Sequence, residues 1–394
     1  MGNFLFFIFQ AFYTIFANMI DDGFANRIDI DSVIAYGSYI PIVWTFQSVY
    51  NIGKYAYTNM RREEKTCLFM GFSISVILMV MALPIHDKIH FIYSLSDRQI
   101  YLFNKILLCY LISMPFRQVG DFIFLYMMYQ FESKTSLIAD VVYWVTALVL
   151  DVVVFVQGKP VYYLVIMTTI AYVVYDVFLY VVSKIYLKKV DLSFMKVAFV
   201  KGKDIVIDRL LGKVATLTYC SLATKLDKTM YAIHCIVYAI QCNSEDFTNN
   251  FNVYCVARFK LMQRDAIKGV HILLRKYGII LISIIYSFSY LFLLIYHGRV
   301  ELNLCIPWLA LYMLDCISLL FYESYKAVLS VYCKTEYLKW GGLIGIFVRI
   351  PFVFITFNLG FGLWAFGIAN TLDFAARAIY FYKMAKRYEN KLYT

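Results

Sequence analysis

The chain has 394 residues, of which 62% are hydrophobic, 19% aromatic and only 16% charged, whereas soluble domains run near half apolar and a quarter charged. So little charge cannot clothe a globule in water, so most of the surface faces lipid and an ordinary soluble enzyme is excluded. The formal net charge of +11 would point to nucleic acid in a soluble protein. In a membrane chain it is the excess of Lys and Arg that cytoplasmic loops carry, and no nucleic-acid partner is expected.

The amino terminus is apolar, has no basic residue before Arg27 and no small-residue cleavage site, so it reads as a retained first span. Further apolar stretches follow near 32 to 58, 66 to 85, 100 to 130, 136 to 157 and 161 to 187. A polar connector over 188–203, with Lys188, Lys189, Asp191, Lys196, Lys201 and Lys203, separates these from six more stretches near 204 to 224, 229 to 258, 272 to 297, 302 to 332, 338 to 359 and 361 to 384. The runs reach about 20 residues and lack alternation, which predicts helices rather than barrel strands.

The expected fold is therefore an all-α integral membrane protein with twelve transmembrane helices. Its domains would be an N-terminal six-helix bundle over 1–187, a cytoplasmic connector over 188–203 and a C-terminal six-helix bundle with a short tail over 204–394. Basic residues crowd the loops after even-numbered spans, as in Arg61, Arg62 and Lys65 or Arg258, Lys260, Arg264 and Lys268. The other loops hold only scattered ones such as Lys88, Arg98 and Lys159. By the positive-inside rule both termini lie in the cytoplasm, in a cell membrane. The nine cysteines form no CxxC pair and read as free thiols packed like small apolar residues.

A repeat runs through the chain. Phe24-Ala-Asn-Arg-Ile-Asp29 aligns with Leu222-Ala-Thr-Lys-Leu-Asp227, and Ser133-Lys-Thr135 with Cys333-Lys-Thr335, at offsets of 198 and 200. The matches fall in the same order at the exits of equivalent spans. Six spans per half is an even number, so the halves insert in the same orientation, as parallel repeats around a central cleft do in transporters.

Asn18-Met-Ile-Asp-Asp22 through Arg27, then Ile34-Ala-Tyr36, resembles the first-span signature of multidrug and toxic compound extrusion (MATE) transporters, of the multidrug/oligosaccharidyl-lipid/polysaccharide exporter superfamily. Leu210-Leu-Gly-Lys-Val-Ala-Thr216, Ser221 to Asp227 and Tyr231 to Ala239 are similar to that family's seventh and eighth spans, and Gly360 to Arg377 to its last. The resemblance implies a secondary-active exporter of two six-helix bundles that alternates between faces, coupled to inward movement of Na⁺ or H⁺. Two departures stand out: no proline occurs before Pro41, and Ala147 stands where an asparagine usually precedes the fifth-span aspartate.

Acids inside the membrane are the candidate site, because a carboxylate at mid-bilayer costs roughly 2.5 to 3.5 kcal/mol. Arg117 with Asp121, Asp373 with Arg377, and Glu323 with Lys326 stand at i,i+4 or i,i+3 and are expected to neutralise one another as structural pairs. The acids without such neighbours are the coupling candidates: Asp21 and Asp22 on span 1, Asp140 and Asp151 on span 5, and Asp176 on span 6. By resemblance Asp21 occupies the family's cation-site aspartate. Asp140 and Asp151 share a helix face about 16 Å apart, too far to bind one ion together.

In the second half Asp208 reads equally as a paired structural acid or a coupling one. Together with Asp208, the residues Glu245, Asp246, Asn249, Asp315 and His234 are candidates for the substrate cleft. His86 and His90 lack a third ligand, so no metal is expected, and no Gly-rich phosphate loop supports ATP hydrolysis. The expected function is a monomeric antiporter, not an enzyme and without cofactor, exporting small amphipathic cationic organic compounds. The alternative is a lipid-linked oligosaccharide or polysaccharide flippase of the same superfamily.

Overall fold

The computed structural model describes residues 23–393 except 61, 130–132, 184, 186–189, 260–264, 297 and 333. Among the described residues there is no strand. The helices are α1 Ile30–Tyr50, α2 Ile52–Met60, α3 Glu64–Ala82, α4 Asp97–Tyr129, α5 Ser133–Val156, α6 Tyr162–Ser183 and α7 Met195–Ala223. They continue with α8 Lys228–Phe259, α9 Ala266–Ile295, α10 Leu302–Tyr312, α11 Asp315–Val331, α12 Leu338–Asn358 and α13 Trp364–Tyr393.

Among the described residues six helical segments are long and apolar enough to cross a membrane, or seven if α10 and α11, bent by 40° at the break between them, are counted as one span. The long helices α1, α7, α8 and α13 fall outside that group because they carry more polar residues. A helix can do so at membrane depth where its polar side chains face protein rather than lipid.

Contacts divide the chain into two compact units, Met1–Val206 with Tyr296–Val300, and Ile207–Ile295 with Glu301–Thr394. In the first, α4 is the packing centre, burying Phe103, Leu107, Tyr110, Met114 and Phe122 against α1, α3 and α6. Helices α2 and α3 approach so closely that a Cβ on Gly53 would collide with the Cys67 carbonyl. The 296–300 segment joins this unit through the fully buried Asn26. Its amide donates to the Tyr296 carbonyl and accepts from Val300 N at 3.3 Å, while its own carbonyl accepts from Arg299 N at 3.1 Å.

The aspartates aligned by the repeat do the same local work. Asp29 accepts from Ser32 N at 2.7 Å and caps α1, and Asp227 accepts from Thr229 N and Met230 N at 3.0 Å and caps α8. Each satisfies amides that the first helical turn leaves without an intrahelical partner. In the connector, Asp191 accepts from Ser193 Oγ at 2.6 Å and from the Ser193 and Phe194 amides, and these bonds hold its carboxyl below the usual carboxylate range.

The second unit is organised around charge. Asp373 on α13 lies 2.5 Å from Arg349 of α12 and is gripped by Arg377, one turn along its own helix, through two bonds of 2.5 and 2.8 Å. All three residues are buried. Arg349 also donates to Thr216 on α7 at 3.0 Å, so one carboxylate ties three helices. The expected Asp373–Arg377 pair is present, and its second cation comes from a residue 24 positions away in sequence that the spacing argument did not reach.

Two outcomes follow. Gly53→Val should destabilise the first unit by about 1–3 kcal/mol through overpacking, seen as a lower melting temperature in detergent. An unchanged melt would mean that α2 and α3 can part without cost. Asp373→Asn should cost about 3–5 kcal/mol, because it leaves two buried guanidinium groups without their counter-charge. The same melting experiment reads it, and a wild-type profile would contradict the structural role.

Candidate functional site

The first unit gathers its acids among α1, α4, α5 and α6. Asp121 on α4 accepts from Gln47 Nε2 at 3.0 Å and from Asn51 Nδ2 at 3.2 Å, both at the end of α1. Among the described residues it makes no ion pair with Arg117 within 4.0 Å. Arg117 instead donates to Ser113 Oγ at 2.9 Å and lies over the rings of Tyr172 and Tyr110, at 4.6 and 5.2 Å from their centroids. The spacing that predicts an Asp121–Arg117 pair is thus overridden by tertiary neighbours. Two side-chain amides on α1 reach the acid, and aromatic faces take the cation.

Asp176 on α6 is 8% exposed and presses against α4 where Gly120 provides room; a Cβ there would stand 2.6 Å from Asp176 Oδ1. That oxygen has no hydrogen-bond partner among the described residues. Gln118, fully buried two residues before Gly120, likewise has both amide atoms unpartnered among the described residues. Asp140 on α5 accepts from Tyr175 Oη at 3.1 Å, and Tyr175 belongs to a ring cluster with Tyr143 and Tyr172. Asp151, three turns further along α5, is 1% exposed.

Asp140 and Asp176 are therefore joined to one tyrosine-rich interior, with Asp121 beside them on α4, all within a single unit. The side chains that reach Asp121 are neutral donors, two amides. Such donors orient a carboxylate without cancelling its charge, which leaves it able to hold a small hard cation. Asp21 and Asp22 lie outside the described residues.

The second unit treats its acids differently. Asp208 on α7 lies 3.4 Å from Lys326 Nζ of α11 and accepts from Tyr322 Oη at 3.4 Å. Glu323 is 3.5 Å from Lys326 and 3.9 Å from Arg209, and accepts from Asn252 Nδ2 at 2.8 Å. The expected Glu323–Lys326 pair is thus part of a larger network. Asp208 finds its cation on another helix rather than in Arg209 or Lys213, the basic residues that follow it. Asn249 accepts from Arg209 at 2.9 Å.

Asp315, fully buried at the start of α11, accepts from Gln241, and its Oδ1 has no partner among the described residues. His234, 2% exposed, shares a 2.8 Å bond between Nδ1 and Tyr312 Oη and is ringed by Tyr219, Tyr231, Tyr238 and Phe366. Of the candidates for the substrate cleft, Glu245 and Asn249 are half-buried, whereas Asp208, Asp315 and His234 are enclosed within the unit. Asp246 lies on α8, and its side chain is outside the described residues.

Sequence reasoning missed Gln47, Asn51 and Gln118 because it searched for charge. The available signal was the i,i+4 spacing of Gln47 and Asn51 in an otherwise apolar stretch, which places two amides on one helix face. Among the described residues no group of three or more His, Cys, Asp or Glu side chains is arranged to hold a metal ion.

No family model matches the chain, and no curated protein matches it by sequence. Solved structures do. An inward-facing multidrug resistance MATE family transporter of the MOP superfamily is 14% identical, with a TM-score of 0.73 over 97% of this chain and 95% of that one. An outward-facing structure of a multidrug resistance MATE family transporter is 12% identical, with a TM-score of 0.79 over 98% and 94%. A MOP superfamily transporter from Pyrococcus furiosus, described as having a binding pocket of reverse polarity, is 13% identical, with a TM-score of 0.73 over 99% and 95%. Across nearly its whole length, then, this chain has the fold of the MATE transporters of the MOP superfamily.

Proposed function

We propose that the chain is a secondary-active antiporter working by alternating access, exporting small amphipathic cationic organic compounds in exchange for Na⁺ or H⁺. It does so as a twelve-span monomer in a cell membrane, with both termini in the cytoplasm and bundles over 1–187 and 204–394 joined by the connector 188–203. The fold similarity to MATE transporters in two conformations supports this reading, as does the skewed distribution of basic loops.

The observation that carries the coupling role is the contrast in acid chemistry. In the first unit Asp121 is held by two amides, and Asp176 keeps one oxygen without a hydrogen bond among the described residues. In the second, Asp208, Glu323 and Asp373 each lie within 4.0 Å of Lys or Arg, and Asp315, held by Gln241, is the exception. A carboxylate already matched by a fixed cation gains little from a mobile one. The coupling ion is assigned on this ground to Asp176, with Asp140 and Asp151 as membrane-embedded acids of the same unit and Asp21 and Asp22 by resemblance. Glu245, Asp246, Asn249, Asp315, Asp208 and His234 remain assigned to cargo.

A second reading, a flippase or exporter of lipid-linked saccharide, is favoured by Arg117, a half-buried cation facing tyrosine rings with no carboxylate within 4.0 Å among the described residues. Such a group suits an anionic headgroup.

Transport in proteoliposomes under separately imposed Na⁺ and H⁺ gradients tests the proposal. One gradient should drive uptake of a cationic dye, and Asp176→Asn should lower the gradient-driven rate at least roughly tenfold while the protein still inserts. Full gradient-driven transport by Asp176→Asn and by Asp21→Asn would remove the coupling role. Movement of a labelled lipid-linked saccharide in place of dye, lost in Arg117→Ala, would favour the second reading.

A further inference from the structure

The second unit has a groove that the charged interior does not use. It lies between α11 and α13, with a volume of about 590 Å³, and its walls include Leu314, Ile317, Phe321, Ala375, Ala378 and Ile379. It is on the side of α11 away from the ion pairs: Tyr322, Glu323 and Lys326 point inward and are buried, whereas Leu314, Ile317 and Phe321 are 40–47% exposed. Bulky Phe321 and Ile379 flank the small Ala375 and Ala378, which gives the surface its concavity.

Along its length the groove's walls are aliphatic and aromatic carbon, with the Tyr325 and Tyr382 hydroxyls confined to one end. Its two aliphatic hydroxyls are spent within their own helices, Ser318 on the Asp315 carbonyl at 3.0 Å and Thr371 on the Gly367 carbonyl at 3.2 Å. The occupant is therefore hydrocarbon. From Leu314 to Tyr325 the groove follows α11 for about 16 Å, close to the roughly 15 Å hydrocarbon depth of one leaflet.

One end is chemically distinct. Tyr325 and Tyr382, with ring centroids 5.1 Å apart, close it, and His271 of α9 bonds Tyr325 Oη at 3.1 Å while packing 6.0 Å from the Tyr382 ring. Lys386 Nζ lies 5.9 Å from the Tyr382 ring centroid. Arg275 and Lys268, exposed and at i+4 and i−3 from His271, flank it on α9. Glu389, one turn beyond Lys386, accepts from Tyr332 at 3.1 Å. An apolar slot one leaflet deep thus opens at a mouth of aromatic rings and basic side chains, the arrangement that holds an anionic headgroup at the membrane interface.

We infer that this α11–α13 groove is a binding site for an anionic phospholipid, one acyl chain lying over Ala375 and Ala378 and the phosphate meeting Lys386, Arg275 and His271. The lipid is a resident ligand of the second unit. The site does not depend on which cargo the protein moves.

Native mass spectrometry of the full-length protein, delipidated and reloaded from vesicles of phosphatidylglycerol or phosphatidylcholine, tests it. Wild type should retain phosphatidylglycerol in preference to phosphatidylcholine. Ala375→Trp should expel both lipids from the site. Lys386→Glu with Arg275→Glu, both at exposed positions and so without demand on folding, should erase the preference, at roughly fivefold in affinity per charge. Equal retention of the two lipids by wild type, or a preference that survives the double reversal, would overturn the assignment. So would displacement of the retained lipid by transported dye, which would give the groove to cargo instead.

Discussion

Every part of this molecule answers to the difficulty of keeping a carboxylate away from water. Inside a membrane protein the charge must be matched by a fixed cation, bound by hydrogen-bond donors, or neutralised by a proton or metal ion. The two units draw on that set in different proportion, with Asp315 of the second, held by Gln241, resembling the acids of the first. The second encloses Asp208, Glu323 and Asp373 among Lys326, Arg209, Arg349 and Arg377. The first holds Asp121 with two amide donors and directs Arg117 onto tyrosine faces.

Under the proposed function that asymmetry would give the two units separate tasks. The Arg349–Asp373–Arg377 triad and the Asp208–Lys326–Glu323 chain tie α7, α11, α12 and α13 together, and Tyr322 links the two sets, its hydroxyl on Asp208 and Lys326 and its ring 5.7 Å from the Arg377 guanidinium. Breaking any member leaves an unmatched charge, which favours a unit that moves as one piece. The amide donors on Asp121 in the first unit impose no such lock. Alternating access coupled to a cation gradient needs both kinds of behaviour.

Much of this was legible in the sequence, for identifiable reasons. Helical membrane architecture followed from apolar runs too long for strands, and two of the aligned aspartates, Asp29 and Asp227, cap α1 and α8 alike. Pairs whose partners stand a turn apart, Asp373 with Arg377 and Glu323 with Lys326, were readable because helix geometry alone brings them together. The reading failed where partners lie far apart along the chain. Asp121 is claimed by Gln47 and Asn51, more than 70 positions away or at that distance, and Asp208 by Lys326, 118 positions away. Neutral amides in apolar helices carry no charge to draw the eye, so Gln118 was passed over.

The central claim is that ion exchange belongs to the carboxylates of the first unit and not to those of the second. Difference infrared spectroscopy of the purified protein between acidic and Na⁺-rich, proton-poor buffers reads carboxyl protonation directly. The account predicts a protonated-carboxyl band that is lost or shifted in Asp176→Asn and in Asp140→Asn, and kept in Glu323→Gln. A band unaffected by the first two substitutions and removed by the third would place the exchanging acid in the second unit and contradict the account.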